Sequence, residues 1–102
     1  MSPKIIILPY AELDIKESIN FYKEKSQKTA LEFIESLNIA FNKIVDNPQT
    51  FPITKTDIRK YIMKKFPFCI YFINKNDIIY ILAVFHSKRN PSVWEERNLQ
   101  QN

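Results

Sequence analysis

The sequence predicts an α+β fold in which an N-terminal strand, a helical hairpin and a three-stranded antiparallel meander build one sheet, followed by a short C-terminal helix. Three observations carry that expectation. Ala30, Phe33, Ile34, Leu37, Phe41, Ile44 and Val45 form one long apolar stripe at helical spacing. Residues 57–85 read instead as three short runs of β-branched and aromatic residues divided by turn formers. The last run, Ile78 to Phe85, is apolar almost throughout, which is the pattern of a strand buried on both faces at the centre of a sheet.

Lys4 to Leu8 is a branched run closed by Pro9 and reads as the first strand. From Ala11 to Lys25, Ala11, Ile15, Ile19 and Tyr22 recur at helical spacing, with Glu12, Lys16, Lys23 and Glu24 turned outward. Ser26 is placed to cap a second helix, which Asn47-Pro48 ends. So short a connection makes the two helices antiparallel neighbours. Gln49 to Thr56 reads as a loop, Asp57 to Lys65 as an irregular strand and Phe68 to Asn74 as a second. Asn74 to Asp77 is a hairpin turn of residues that tolerate left-handed backbone. After the last strand, Asn90-Pro91 reads as a helix start, with Trp94 on its first turns. The order is β-α-α-β-β-β-α. Phe68, Ile70 and Phe72 alternate with Cys69, Tyr71 and Ile73, so both faces of the sheet are apolar. One helical hairpin covers one face. The other is expected to need the terminal helix with Trp94 and Leu99, a second copy of the chain, or a partner.

At 102 residues, 1–102 is expected to be one domain with one modest core. No run is long and apolar enough for a membrane helix, no secretory leader is expected, and a single cysteine fits a reducing cytoplasm. Glycine is absent, which excludes phosphate-binding loops, dinucleotide fingerprints and nucleophile elbows. Charge is uneven. Residues 1–51 carry six lysines against seven acids, whereas residues 52–102 carry nine basic residues against four. The basic density peaks between Lys55 and Lys65. A basic half favours an anionic partner, nucleic acid or an acidic protein segment, although a solvated lysine-rich surface accounts for the same numbers.

Candidate chemistry is sparse. One histidine, one cysteine and scattered carboxylates make no metal set, and no cofactor is expected. Cys69, in mid-strand, reads as a small buried hydrophobe. What remains is a basic and aromatic set: Arg59, Lys60, Tyr61, Lys64, His86, Lys88 and Arg89. Such groups grip phosphates. They also suit metal-free RNA cleavage, with His86 carrying the proton and Arg89 stabilising charge on the phosphate. The plainer alternatives are a strand-end histidine bonded to backbone and an arginine paired with Glu95 or Glu96.

These residues carry a resemblance. The order β-α-α-β-β-β, the opening strand and proline with the Ala11, Ile15, Ile19, Tyr22 helix, the helix ending at Asn47-Pro48, the FCIYFI strand and the string HSKRNPSVWEER at 86–97 together resemble the RelE/ParE family of toxins from type II toxin–antitoxin modules, known also as plasmid stabilisation proteins. The resemblance covers nearly the whole chain. It implies a growth-inhibiting toxin, wrapped by a cognate acidic antitoxin encoded nearby, as a hetero-oligomer or with self-association. RelE-like members cleave mRNA on the ribosome, whereas ParE-like members inhibit DNA gyrase. The strand that often reads Tyr-Arg-Leu-Val-Tyr in nuclease members reads Phe68-Cys69-Ile70-Tyr71-Phe72 here, with cysteine in place of the catalytic arginine. The late aromatic is Trp94, which cannot exchange a proton as tyrosine can. Both departures, and the spacing His-x-x-Arg-x-Pro-x-x-Trp, favour the ParE-like branch. The resemblance thus implies a gyrase inhibitor, with Arg59, Lys60, Tyr61, Lys64, Lys88, Arg89 and Trp94 as target-binding candidates. The alternatives are a ribosome-dependent nuclease working through His86 and Arg89, and a member that only binds its antitoxin.

Overall fold

In the computed structural model, which describes residues 3–88, the fold is α+β: a strand and two helices, followed by the remaining strands of one mixed sheet. The expected C-terminal helix, Arg89 and Trp94 lie outside the described residues. The two helices form the expected hairpin. α1 spans Pro9–Lys25 and α2 spans Gln27–Asp46, with Ser26 alone between them. Ser26 caps α2 as its position predicts, its Oγ accepting the Thr29 N–H at 3.0 Å. Asn47 closes the helix through its N–H to the Lys43 carbonyl, and Pro48 prevents continuation. α1 begins two residues earlier than the apolar stripe suggests. Pro9 is a breaker for the strand before it but suits the first helical position, where its missing N–H has no partner to lose.

The sheet has five strands, in the order β1-β5-β4-β3-β2. They are β1 Lys4–Ile7, β2 Ile53–Lys55, β3 Ile58–Ile62, β4 Phe68–Lys75 and β5 Ile78–His86. The expected meander is β3-β4-β5, and β1 joins it parallel to β5. The segment read as a loop from Gln49 to Thr56 holds two short elements, a 3-10 turn at Pro48–Thr50 and the edge strand β2. β2 is three exposed residues following Pro52, too short and too wet to show periodicity. β3 stops at Ile62, before the expected Lys65. Met63 still donates its N–H to the Phe68 carbonyl, so the chain turns back at once into β4.

The β4–β5 turn is a two-residue connection in which Asn76 and Asp77 have φ of 53° and 61°. Two left-handed residues match the twist of a hairpin, and without glycine in the chain Asn and Asp supply them. Thr56, with φ of 54° in the turn between β2 and β3, is the less comfortable case, because a β-branched side chain crowds the left-handed backbone.

The core forms two clusters. On the helix face, Ala11, Phe33, Leu37 and Ile44 pack against Ile70, Phe72, Ile79, Ile81 and Val84 of the sheet. An aromatic knot of Tyr22, Phe33, Phe66 and Phe68 closes one end, with ring centroids 5.0–5.2 Å apart across its nearest pairs. The second face holds Ile58, Cys69, Tyr71, Ile73, Leu82, Ala83 and Phe85. The sequence suggests a face that needs a cover, and these side chains are buried within the single chain, Leu82 fully and Phe85 to 1% exposure.

Candidate functional site

One residue decides where the candidate groups lie. Tyr71 pairs with Ala83 but Phe72 pairs with Ile81, so Leu82 is an extra residue in β5, a β-bulge. Before it, Tyr80 belongs to the second face. After it, the alternation is shifted by one: Leu82, Ala83 and Phe85 pack on the second face, while Val84 belongs to the helix-face core. His86 stands opposite Phe68, another helix-face residue, with its ring edge-on to Phe68 at 5.4 Å. Unbroken alternation from Tyr80 would have placed His86 on the opposite side.

His86 therefore borders a groove of about 250 Å³ between α1 and the end of β5, lined also by Asp14, Glu17, Ser18, Phe21, Phe68 and Val84. Its Nδ1 accepts the Lys88 backbone N–H at 3.2 Å, which leaves Nε2 to carry the proton of the neutral ring. The groove exists because β1 is short. The last bond along that seam runs from the Leu8 N–H to the Ile81 carbonyl, and Pro9 then turns the chain into α1. The edge of β5 beyond Ile81 meets a helix instead of a strand. Asp14, 7% exposed, takes over: its Oδ2 accepts the Val84 N–H at 3.1 Å. A carboxylate on the buried stripe of an amphipathic helix, three residues after Ala11, was the available sequence signal for this role.

The basic set is dispersed. Arg59 and Tyr61 are on the helix face of β3, whereas Lys60, paired with Tyr71, faces the other way. Arg59 Nη1 donates to the carbonyls of Phe51 and Gln49, at 2.7 and 3.2 Å, and so clamps the turn before β2. Tyr61 is 6% exposed and its ring packs on Phe51 at 5.2 Å, so its faces are not a stacking platform. Lys60 Nζ stands 6.0 Å from the Tyr71 ring, and its charge partly offsets the burial that pushes the Cys69 thiol up. Lys64 is exposed beyond the end of β3, and Lys88 is exposed beyond β5.

Three of these residues do share a cleft. Lys60, Tyr61 and Lys64 line a cavity of about 360 Å³ at the outer edge of β3 with Phe51, Pro52 and Ile62. Lys43 of α2 completes it. Among the described residues no group of three or more His, Cys, Asp or Glu side chains is arranged to hold a metal. Nor is any helix among them long and apolar enough to cross a membrane.

This architecture has relatives. Residues 5–91 match the family model described as the ParE toxin of the type II toxin–antitoxin system parDE. A solved chain from the chromosomal ParDE toxin–antitoxin system of P. aeruginosa is similar in fold, with a TM-score of 0.74 and 16% identity over 83% of this chain and 96% of that one. No curated protein sequence matches. The family match runs from within β1 past the end of β5 and so takes in the hairpin, the whole sheet and both clefts, and the chain belongs to the ParE toxin family of type II toxin–antitoxin systems.

Proposed function

We propose that this toxin acts in the cytoplasm by binding and inhibiting DNA gyrase, and that a cognate acidic antitoxin encoded nearby neutralises it. The observation that supports a binding inhibitor over a nuclease is the dispersal of the cationic groups. Metal-free RNA cleavage needs a proton carrier and cations converging on one phosphate. His86 lies on the helix face at the end of β5, Lys60 points from the opposite face, and Arg59 is held by two backbone carbonyls. The position that carries a catalytic arginine in nuclease relatives is Cys69, which is buried. On this reading Arg89, Trp94 and Lys88 act as target-binding anchors following β5, and Lys60 and Lys64 serve a separate surface.

The test compares two activities of the purified chain. Inhibition of gyrase supercoiling without cutting of ribosome-bound message is the expected result. Arg89→Ala then weakens inhibition by the ~2 kcal/mol of a lost interface anchor. Ribosome-dependent cleavage of mRNA, reduced about 10²–10⁴-fold by His86→Ala, would replace the proposal with a nuclease mechanism. Growth arrest by the lone chain, relieved by co-expressing the neighbouring acidic gene product, tests neutralisation.

A further inference from the structure

Cationic groups collect along one open stretch of strand. β2 pairs with β3 only from Ile53 to Lys55, and the last bond at that end is the Lys60 N–H to the Pro52 carbonyl. Met63 donates to Phe68 on the β4 side, so the alternation of an antiparallel ladder turns the Ile62 N–H outward, past the end of β2. Lys60 and Lys64 flank that donor in the chain, and Lys43 reaches the same cleft of about 360 Å³ from α2. A second cavity of about 180 Å³ shares Lys43 and Lys64 and adds Lys65. Among the described residues no Asp or Glu lines either cavity. Glu32 reaches Lys65 at 3.5 Å, but Lys43, Lys60 and Lys64 have no carboxylate partner among the described residues.

The lysines stand on both sides of the strand edge. Lys60 lies on the second face of the sheet, its Nζ 6.0 Å from the Tyr71 ring, whereas Lys43 belongs to the helix layer. A single small anion cannot touch both, but a row of anions can. Duplex DNA carries one charge per ~1.7 Å of its axis, so separated lysines each find a phosphate. An ammonium is a point charge with no preferred approach, and the outward Ile62 N–H adds a neutral donor of the kind that contacts phosphate oxygens. Nothing here reads bases. Tyr61 is 6% exposed and its ring packs on Phe51, so the cleft has no platform on which an unpaired base could stack, as a single strand would require. A second copy of this chain would bring two sets of lysines together, which their charges oppose.

We propose that the cleft formed by Lys43, Lys60 and Lys64 at the end of β3 binds the phosphate backbone of duplex DNA without sequence preference. This surface is distinct from the anchors that follow β5. It goes beyond the gyrase reading and does not depend on it, because bare duplex is the ligand. If both hold, the cleft keeps the toxin on the DNA on which its target works.

The test titrates the full chain into a fluorescent duplex of about 20 base pairs and follows anisotropy between about 50 and 200 mM salt. Three phosphate contacts predict a log–log slope of about −2.7, a loss of roughly 40-fold in affinity over that range. Lys60→Gln with Lys64→Gln is expected to bring the slope to about −1 and to weaken binding on the order of 10²-fold at the lower salt. Lys43→Gln alone is expected to reduce the slope by about one. Lys43 and Lys64 are exposed, so their single variants carry the test if the double variant does not fold. Lys16→Gln with Lys23→Gln removes the same charge from exposed positions on α1 and is expected to leave the slope unchanged. The Ile62 amide resonance is expected to shift as duplex is added. No binding by the wild-type chain, equal losses in the two double variants, or an unmoved Ile62 amide overturns the cleft as the site. Tighter binding of a single strand of the same length, equal binding of a polyglutamate peptide, or a preference of about tenfold between two unrelated duplexes overturns the duplex backbone as its ligand. Gyrase is absent from the assay, so each of these outcomes leaves the inhibition reading to its own test.

Discussion

Replacing Asp14 tests how the end of β5 is held. Asp14 is 7% exposed, Val84 is 2% exposed, and the carboxylate accepts the Val84 N–H at 3.1 Å. No strand is available for that N–H, because β1 ends at Ile7 and its last seam bond is to Ile81. Asp14→Ala strands a buried donor and opens a path for water along α1. A lost bond to a charged acceptor together with an unsatisfied buried N–H costs about 2–3 kcal/mol. Asp14→Asn keeps an acceptor oxygen and is expected to lose only about 1 kcal/mol. Against a total stability of roughly 5–15 kcal/mol both variants remain folded. Urea denaturation is expected to show a lower midpoint with an unchanged slope, since the surface exposed on unfolding is nearly the same. Exchange of the Val84 amide should accelerate more in Asp14→Ala than in Asp14→Asn. Asp14→Ala within about 0.5 kcal/mol of wild type, the range of an ordinary surface change, with Val84 exchange unaltered, would refute the capping role.

Two further outcomes follow from the same geometry. Burial raises the Cys69 and Tyr22 pKa values above 9.0 and 10.0. The unfolded chain therefore ionises first, so their contribution is full below those values and is lost as pH rises through the higher folded ones. Cys69→Ala is expected to flatten the fall in stability above pH 9.0, cost about 1 kcal/mol at neutral pH and leave toxicity intact, checked by denaturation at several pH values and by growth assay. Arg59→Lys is expected to lower stability by about 1–2 kcal/mol through loss of the two carbonyl bonds to Gln49 and Phe51, with target affinity unchanged after correction for folded fraction; loss of affinity at full stability would return Arg59 to the binding surface.

The sequence by itself determined the order of β1, the two helices and the β3-β4-β5 meander, though not the edge strand β2, and most of the local punctuation. Periodicity found both helices, because an amphipathic stripe records which side faces the core. Ser26, Asn47-Pro48 and the Asn76-Asp77 turn act within a few residues of themselves, so their roles can be read without the fold. The alternation from Phe68 to Ile73 announced two apolar faces, and both are packed.

Tertiary structure decided what depends on distant partners. The bulge at Leu82 moves His86 to the helix face, and nothing in an all-apolar run marks where alternation slips. Arg59, a phosphate-binding candidate by composition, is committed to carbonyls eight and ten residues earlier. Asp14 finds its purpose seventy residues away, where a short first strand leaves one N–H without a ladder. Lys43 comes from a helix and Lys60 and Lys64 from the β3 region, and only their packing sets one sign of charge beside an open strand edge. Sequence patterns report which face a residue occupies within its own element. Which groups then meet depends on register, strand length and where each strand ends, and those are fixed only when the whole sheet forms.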